Sequence, residues 1–156
     1  MMISEKLSKL GITLPPPPSA AGLYKPVLIL GNQIYFSGHL PILSDGSMIT
    51  GKVGHEMTVE EGKEAARQVG LNILSSVKHA LGTLDRVSSV IKLLGMVNST
   101  EEFTQHPQVI NGCSELFKDI WGDDNGVGVR SAFGVSGLPA GVPVEIEGIF
   151  KLKKEI

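Results

Sequence analysis

Two short apolar segments separated by a glycine and an asparagine form the first regular pattern in the chain. Residues 27–30 read Val-Leu-Ile-Leu, and residues 33–38 carry Ile, Tyr and Phe after Gly31 and Asn32. β-rich segments on either side of such a pair are typical of a tight turn. The pattern therefore predicts a β-hairpin, followed by a turn at residues 44–47, where Ser, Asp and Gly cluster.

Helical spacing of apolar residues begins after Thr58. Thr58 is a predicted N-cap, and Glu60 and Glu61 fall in the first turn, where the helix dipole favours carboxylates. The predicted end is at Leu81-Gly82, since glycine readily adopts the left-handed cap conformation. The pattern predicts one long amphipathic helix, whose apolar positions are Ala65, Ala66, Val69, Ile73, Leu74, Val77 and Leu81.

The second half of the chain alternates strand and helix patterns. Residues 87–97 are rich in Val, Ile and Leu and predict a buried strand, and residues 104–121 have the spacing of a second helix. Residues 122–128 are polar and glycine-rich and predict a loop. Two further strands are predicted at residues 131–136 and 144–152. The order ββαβαβ(β) predicts an α+β sandwich in which two helices cover one face of the sheet.

The last predicted strand has two different faces. Alternate residues of a strand point to opposite sides of the sheet. One side carries Val144, Ile146, Gly148, Phe150 and Leu152, and the other carries Glu145, Glu147 and Ile149. If helices cover the first side, the second side faces either water or another subunit. A subunit interface would explain why carboxylates sit beside an isoleucine there.

Composition fits one folded domain with a packed core. The 156 residues are 42% hydrophobic and 19% charged, which argues against global disorder. The formal net charge is -2 and no long basic run is present, so no nucleic-acid partner is expected. The single cysteine, Cys113, cannot form an internal disulfide, which favours a cytoplasmic location.

The N-terminal residues 1–22 are predicted to form a proline-rich arm on a single domain that spans residues 1–156. Charged and apolar residues alternate at the start of this arm, a pattern unlike that of a signal peptide. Pro15 to Pro18 form a stiff spacer, which we expect to lie along the surface rather than to bind another domain. No apolar run approaches the roughly 20 residues that span a bilayer, so no membrane association is expected.

Arg130, Glu145 and Glu147 are the residues with the most chemical potential. Arg130 follows the glycine-rich loop at the start of a strand, and its planar guanidinium suits a two-point grip on a carboxylate. An arginine in this place is more often a solvated surface residue. Glu145 and Glu147 lie on one strand face, roughly 7 Å apart, so repulsion and partial burial could raise the pKa of one of them. A solvent-facing strand is the plainer interpretation.

Other reactive residues form no recognisable catalytic or metal-binding motif. Tyr24 and Ser37 offer hydroxyls near predicted strand ends, but neither belongs to a nucleophile elbow or to a Ser-His-Asp arrangement. The glycines match no phosphate-binding fingerprint. Scattered histidines without ligand spacing predict no metal site and no cofactor; they are His39, His55, His79 and His106.

The C-terminal region resembles the signature of the RidA/YjgF family, which is also named endoribonuclease L-PSP. The resemblance rests on Val-Arg-Ser-Ala-Phe-Gly-Val-Ser-Gly-Leu-Pro at residues 129–139 and Val-Glu-Ile-Glu at residues 144–147. Residues 30–32 and 37–41 resemble the early hairpin of the family, and residues 109–117 resemble its second helix. The likeness covers nearly the whole chain.

This resemblance implies a chorismate-mutase-like sandwich of the Bacillus type, assembled as a homotrimer with sites in the clefts between subunits. Deaminases of the family hydrolyse reactive 2-imino and enamine carboxylic acids to 2-oxo acids and ammonia. The resemblance implies that Arg130 binds the substrate carboxylate and that Glu145 activates the attacking water. The other implied substrate-binding positions are Tyr24, Ser37, Gly38, Asn111 and Ala132.

The sequence departs from the family pattern at the proposed pocket. Ala132 stands where deaminases of the family commonly have a cysteine, and the segment between the second helix and Arg130 is longer. A protein that binds a small carboxylate without turnover, or a regulatory protein, is therefore a second interpretation. Endoribonuclease activity is a third, which the net charge of -2 and the lack of an aromatic platform disfavour.

Overall fold

The computed structural model describes residues 1–154 as three helices and a five-stranded mixed sheet. The helices are α1 (Ile3–Lys9), α2 (Val59–Leu81) and α3 (His106–Gly126). The strands are β1 (Val27–Leu30), β2 (Gln33–His39), β3 (Val87–Asn98), β4 (Val129–Val135) and β5 (Val144–Leu152). The α+β class, the hairpin and the two long helices predicted from the sequence are confirmed.

The sheet has the order β1-β2-β5-β3-β4. β5 pairs antiparallel with both β2 and β3, while β3 and β4 run parallel and are joined by α3. A parallel pair needs such a crossover, because a tight turn can join only antiparallel strands. β5, which follows the other four strands in sequence, therefore lies in the middle of the sheet.

Helices α2 and α3 cover one face of the sheet, as the sequence predicts. The β5 residues Val144, Ile146 and Phe150 are fully buried there, while Glu147 on the same strand is exposed. The two helices approach each other closely at Gly112, where a Cβ atom would overlap the carbonyl oxygen of Lys63. The core thus lies between the helices and this side of the sheet.

The start of α2 shows why the chain turns helical there. The Thr58 hydroxyl accepts a hydrogen bond from the backbone N–H of Glu61, and the Glu61 carboxylate accepts one from the backbone N–H of Thr58. This reciprocal capping box satisfies backbone donors that have no partner within the helix. At the other end Gly82 has φ 80°, the left-handed conformation predicted for it. Both predicted ends of this helix are confirmed.

The N-terminal arm contains a helix that the sequence pattern did not predict. Leu7 of α1 is buried in the core, and the Ile3 N–H donates to a carboxylate oxygen of Asp85 at 2.6 Å. The proline segment packs against α2, where the Ser75 hydroxyl donates to the Pro15 carbonyl at 2.7 Å. The arm lies along the surface and is attached at several points.

The predicted loop at residues 122–128 is wrong over most of its length. The chain has a non-helical φ of 82° at Gly122 and then returns to helical geometry up to Gly126. Gly126 is buried against the backbone of Phe117, with no room for a Cβ atom. This contact between backbones, rather than any local propensity, keeps the polar segment helical. β4 consequently begins at Val129, two residues before its predicted start.

Within residues 1–154, no helix covers the second face of the sheet. Exposed or half-buried side chains from all five strands line it, including Leu28, Tyr35, Leu94, Phe133 and Ile149. An open cavity of about 480 Å³ lies on it, bordered by Lys92 and by residues of β2 and β5. Apolar side chains thus lie beside charged ones on a surface that a single chain leaves uncovered.

Candidate functional site

Arg130 lies near the start of the edge strand β4, on the side of the sheet that the helices cover. It pairs in register with Leu93, which is buried against that side. The half-buried Arg130 side chain extends along α3, where Nη1 donates to the Ser114 hydroxyl at 2.9 Å and Nη2 donates to the Pro107 carbonyl at 3.4 Å. The guanidinium is therefore held by one helix, at the edge of the sheet.

No carboxylate among residues 1–154 forms an ion pair with Arg130. Two acidic residues of α3 pair with lysines instead: Glu115 with Lys63 at 3.1 Å and Asp123 with Lys118 at 3.2 Å. A guanidinium has five N–H donors, and a hydroxyl and a carbonyl take only part of them here. A cation that is half-buried without a counter-ion favours binding of an anion.

A cavity of about 320 Å³ opens beside this guanidinium. Asn111 and Ser114 of α3 line it together with Arg130, and Gly128 lies at its border. Ala132 lies two residues further along β4, on the same strand face, and packs against the core. The structure therefore brings together three of the predicted site residues: Arg130 and Asn111 line one cavity, and Ala132 lies beside it on the same strand as Arg130.

Glu145 lies on the opposite face of the sheet. Its neighbours along β5, Val144 and Ile146, point into the core, so the half-buried Glu145 carboxylate points to the uncovered face. Burial raises the pKa of the Glu145 carboxyl above its ordinary value, and the negative charge of Glu147 adds to the effect. The predicted repulsion is present, but loss of solvent is the larger cause.

The carboxylate of Glu145 packs against a bulge in β2. Phe36 pairs with Gly148 and His39 pairs with Ile146, so Ser37 and Gly38 together oppose Glu147. A Cβ atom at Gly38 would overlap the Glu145 carboxylate, so any larger residue there would force this carboxylate to move. Bulges of this kind redirect side chains and are frequent beside active sites.

Tyr24 and Ser37 complete this second group of residues. The Ser37 hydroxyl donates to the Lys25 carbonyl, and the exposed Tyr24 hydroxyl accepts from the Ala21 N–H at 3.1 Å. Tyr24 and Gly38 border the same small cavity of about 50 Å³. Four predicted site residues therefore cluster around the β2 bulge: Tyr24, Ser37, Gly38 and Glu145.

The two groups of residues cannot meet within one chain. Their partners on β3, Leu93 for Arg130 and Met96 for Glu145, are three positions apart. Strand geometry then separates the Cα atoms of Arg130 and Glu145 by about 14 Å, with the side chains on opposite faces. We call them the arginine half-site and the glutamate half-site.

Two residues that contact these half-sites, Ser114 and His39, were not predicted from the sequence to belong to the site. Ser114 holds Arg130 and lies three residues after Asn111, so helical spacing could have placed it on the same face. His39 was treated as one of several scattered histidines, yet it is buried and bonded to the Ser37 carbonyl. No local signal identifies it, because its partner Ser76 is distant in sequence.

Residues 1–154 contain neither a metal-binding cluster nor a membrane-spanning helix. No cluster of three His, Cys, Asp or Glu side chains in this range is arranged to hold a metal ion. No helix within the same residues combines the length and hydropathy needed to cross a bilayer. Cys113 is fully buried in α3, where loss of solvent raises the pKa of its thiol well above the ordinary value. It is consequently an unreactive thiol.

Comparison with known proteins gives a consistent result. A family model described as YjgF/chorismate mutase-like, with endoribonuclease also in its description, matches residues 4–139. Protein TCP17 of Trypanosoma cruzi is 39% identical over 150 residues, which cover 96% of this chain and 94% of the relative. The crystal structure of Atu1372 from Agrobacterium tumefaciens, a protein of unknown function, aligns with a TM-score of 0.87 and 40% identity over 97% of this chain and 94% of that one.

A structure named RidA is also similar. RidA from the Antarctic bacterium Psychrobacter sp. PAMC 21119 aligns with a TM-score of 0.61 and 27% identity over 87% of this chain and 94% of that chain. The shared architecture and the matched residues include the strand pair and the helix that hold Arg130. The chain therefore belongs to the YjgF/RidA family.

Proposed function

We propose that this protein hydrolyses small 2-imino and enamine carboxylic acids to 2-oxo acids and ammonia. The observation that carries the proposal is Arg130, a half-buried guanidinium in a cavity, with no carboxylate partner among residues 1–154. A substrate carboxylate would supply the missing charge through a two-point contact. A small 2-imino acid offers that carboxylate directly beside its reactive carbon.

The site is completed by a second copy of the chain. The arginine and glutamate half-sites lie on opposite faces of one sheet, about 14 Å apart by strand geometry. The uncovered face carries exposed apolar residues such as Tyr35 and Phe133, which suits contact with another copy. A homotrimer, in which each cleft joins the arginine half-site of one copy to the glutamate half-site of the next, satisfies both observations.

The proposed reaction needs no metal and no covalent nucleophile. A protonated imine is already electrophilic, so Arg130 has only to hold the carboxylate while water approaches the imine carbon. The raised pKa of Glu145 makes its carboxylate a stronger base, suited to taking a proton from that water. The water oxygen bonds to the imine carbon as one water proton passes to Glu145, which gives a neutral amino alcohol. Glu145 returns this proton to the nitrogen, the C–N bond breaks as the carbonyl forms, and the departing ammonia takes the hydroxyl proton. The products are one 2-oxo acid and one ammonium ion.

Clearance of 2-iminobutanoate tests the proposal. The imine is generated in the assay by an amino-acid oxidase, and its disappearance is followed with and without the protein. We expect acceleration by the wild type, and a loss of at least a hundredfold in Arg130→Ala, on the order expected for removing a charged contact to substrate. Lys78→Ala removes an exposed cation of α2 that does not line this cavity and should stay near the wild-type rate.

A non-catalytic carboxylate-binding role is the second candidate. Ala132, in the position where deaminases commonly carry a cysteine, favours it. Thermal-shift measurements with 2-oxo acids and amino acids separate the two functions. Stabilisation that depends on Arg130, together with no imine clearance above buffer, would establish binding alone and exclude the deaminase.

A further inference from the structure

His39 is a buried histidine whose two ring nitrogens both have partners. It is 5% exposed, and its Nδ1 lies 2.6 Å from the Ser37 carbonyl oxygen while its Nε2 lies 2.8 Å from the Ser76 hydroxyl. A carbonyl oxygen can only accept, so Nδ1 carries a hydrogen. Burial lowers the pKa of His39, and the ring is therefore neutral, with Nε2 accepting from Ser76.

This pair of hydrogen bonds ties the β2 bulge to α2. Ser76 belongs to the buried face of α2, and Ser37 is the first residue of the bulge. Because a peptide unit is planar, fixing the Ser37 carbonyl also fixes the orientation of the unit that leads into Gly38. The bulge is thus held from the core side by one neutral imidazole.

The Glu145 carboxylate lies directly on the part of the bulge that His39 holds. Gly38 is so close to this carboxylate that a Cβ atom would overlap it. The surroundings of Glu145, and hence its burial, depend on where Gly38 lies. Burial is the main cause of the raised pKa of Glu145.

We propose that His39 is a positioning residue for Glu145, acting through the Ser37–Gly38 bulge rather than by contact with substrate. The inference deepens the proposed function, since it assigns the residue that keeps the catalytic carboxylate in place. Without the imidazole, the bulge relaxes, water reaches the carboxylate and its basicity falls. Among residues 1–154, the charged group that acts on the Glu145 carboxyl is Glu147 on β5, which lies on the uncovered face, away from the buried His39.

Three variants separate positioning from general stability. His39→Leu removes both hydrogen bonds. His39→Asn keeps a donor near the position of Nδ1, and so keeps the bond to Ser37. Ser76→Ala removes only the bond to Nε2. Denaturant unfolding of each variant records its stability, so that a loss of folded protein is not mistaken for a loss of positioning.

The pH dependence of imine clearance is the first measurement. For His39→Leu we expect kcat to fall about tenfold or more with KM within about twofold, the pattern of a lost transition-state contribution. The acidic limb of its pH profile, the range in which activity falls as the pH drops, should move to lower pH. The reason is that a more solvated Glu145 ionises more easily. His39→Asn should recover most of kcat and the wild-type limb. A fall in kcat with an unmoved limb and no recovery in His39→Asn would overturn the proposal.

Direct titration of Glu145 distinguishes this inference from the proposed function itself. The side-chain carboxyl of Glu145 is followed by carbon NMR in the wild type and in the three variants. Its pKa should fall in His39→Leu and Ser76→Ala and stay near the wild-type value in His39→Asn. A wild type without imine clearance would refute the deaminase, yet the titration would still report on His39. A Glu145 pKa that is unchanged in whichever of His39→Leu and Ser76→Ala are folded would refute the positioning role.

Discussion

Glu145 shows how the environment of one side chain sets its chemistry. The carboxylate lies between the β2 bulge and Glu147, and burial there outweighs the repulsion from Glu147 in raising its pKa. In the proposed reaction the ionised form is active, so activity falls as the pH drops through this pKa. A raised pKa brings that fall to a higher pH than an ordinary glutamate would show.

Glu147→Gln should move this acidic limb to lower pH. Removing the neighbouring negative charge makes ionisation of Glu145 easier, which lowers its pKa. The measurement is the pH profile of kcat/KM for imine clearance. Lys151→Gln is the matched control, because it removes an exposed charge from the same strand at a greater distance and should leave the limb in place. A limb that stays fixed in Glu147→Gln would show that Glu145 does not control it.

The candidate residues of the site could be identified from the sequence, but their arrangement could not. The motif around Arg130 and the strand motif with Glu145 are continuous in the chain and so are visible without a structure. That the two side chains lie on opposite faces follows from β4 pairing in parallel with β3, a long-range register. The hydrogen bonds of His39 and Ser114 also join distant segments. Sequence distance hides such contacts.

At the scale of elements, the local sequence pattern determines α2 but not α1 or the C-terminal part of α3. Apolar spacing and a capping box define α2 from its own residues. The seven residues of α1 are too few for stability alone and depend on burying Leu7. The C-terminal part of α3 is polar, and its return to helix after Gly122 depends on packing of Gly126 against Phe117. Tertiary contacts therefore determine both α1 and the C-terminal part of α3.

Gly112→Ala should destabilise the protein by about 1–3 kcal/mol, the usual cost of overpacking. Helix propensity alone predicts the opposite sign, since alanine in a helix is favoured over glycine by about 1 kcal/mol. The added Cβ atom would overlap the Lys63 carbonyl and force α2 and α3 apart. Urea unfolding gives the free energy. Gly137→Ala, which adds a Cβ atom in open space, is the control and should change stability by less than about 0.5 kcal/mol.

At the scale of the whole molecule, each chain presents two different half-sites. The arginine half-site lies at the β4 edge beside α3, and the glutamate half-site lies on the uncovered face beside the β2 bulge. One chain therefore has one half-site of each kind. Under the proposed function, the arginine half-site of one copy would meet the glutamate half-site of a neighbouring copy.

Mixing two inactive variants tests this arrangement. Arg130→Ala lacks one half-site and Glu145→Gln lacks the other, so each alone should clear imine very slowly. Trimers formed from an equal mixture after dissociation and reassembly should contain intact clefts at about a quarter of the interfaces, and activity should return in that proportion. Light scattering checks the oligomeric state. Mixed assemblies that have the expected size but stay inactive would contradict the intersubunit cleft.

The order of strands also constrains how the protein is made. β5 follows the other four strands in sequence, and it separates the β1–β2 hairpin from the β3–β4 pair in the sheet. On the ribosome the two outer parts can form first, but they join only after residues 144–152 have emerged. Formation of the complete sheet thus waits for β5, and a chain that stops before Val144 would expose two unpaired strand edges prone to aggregation.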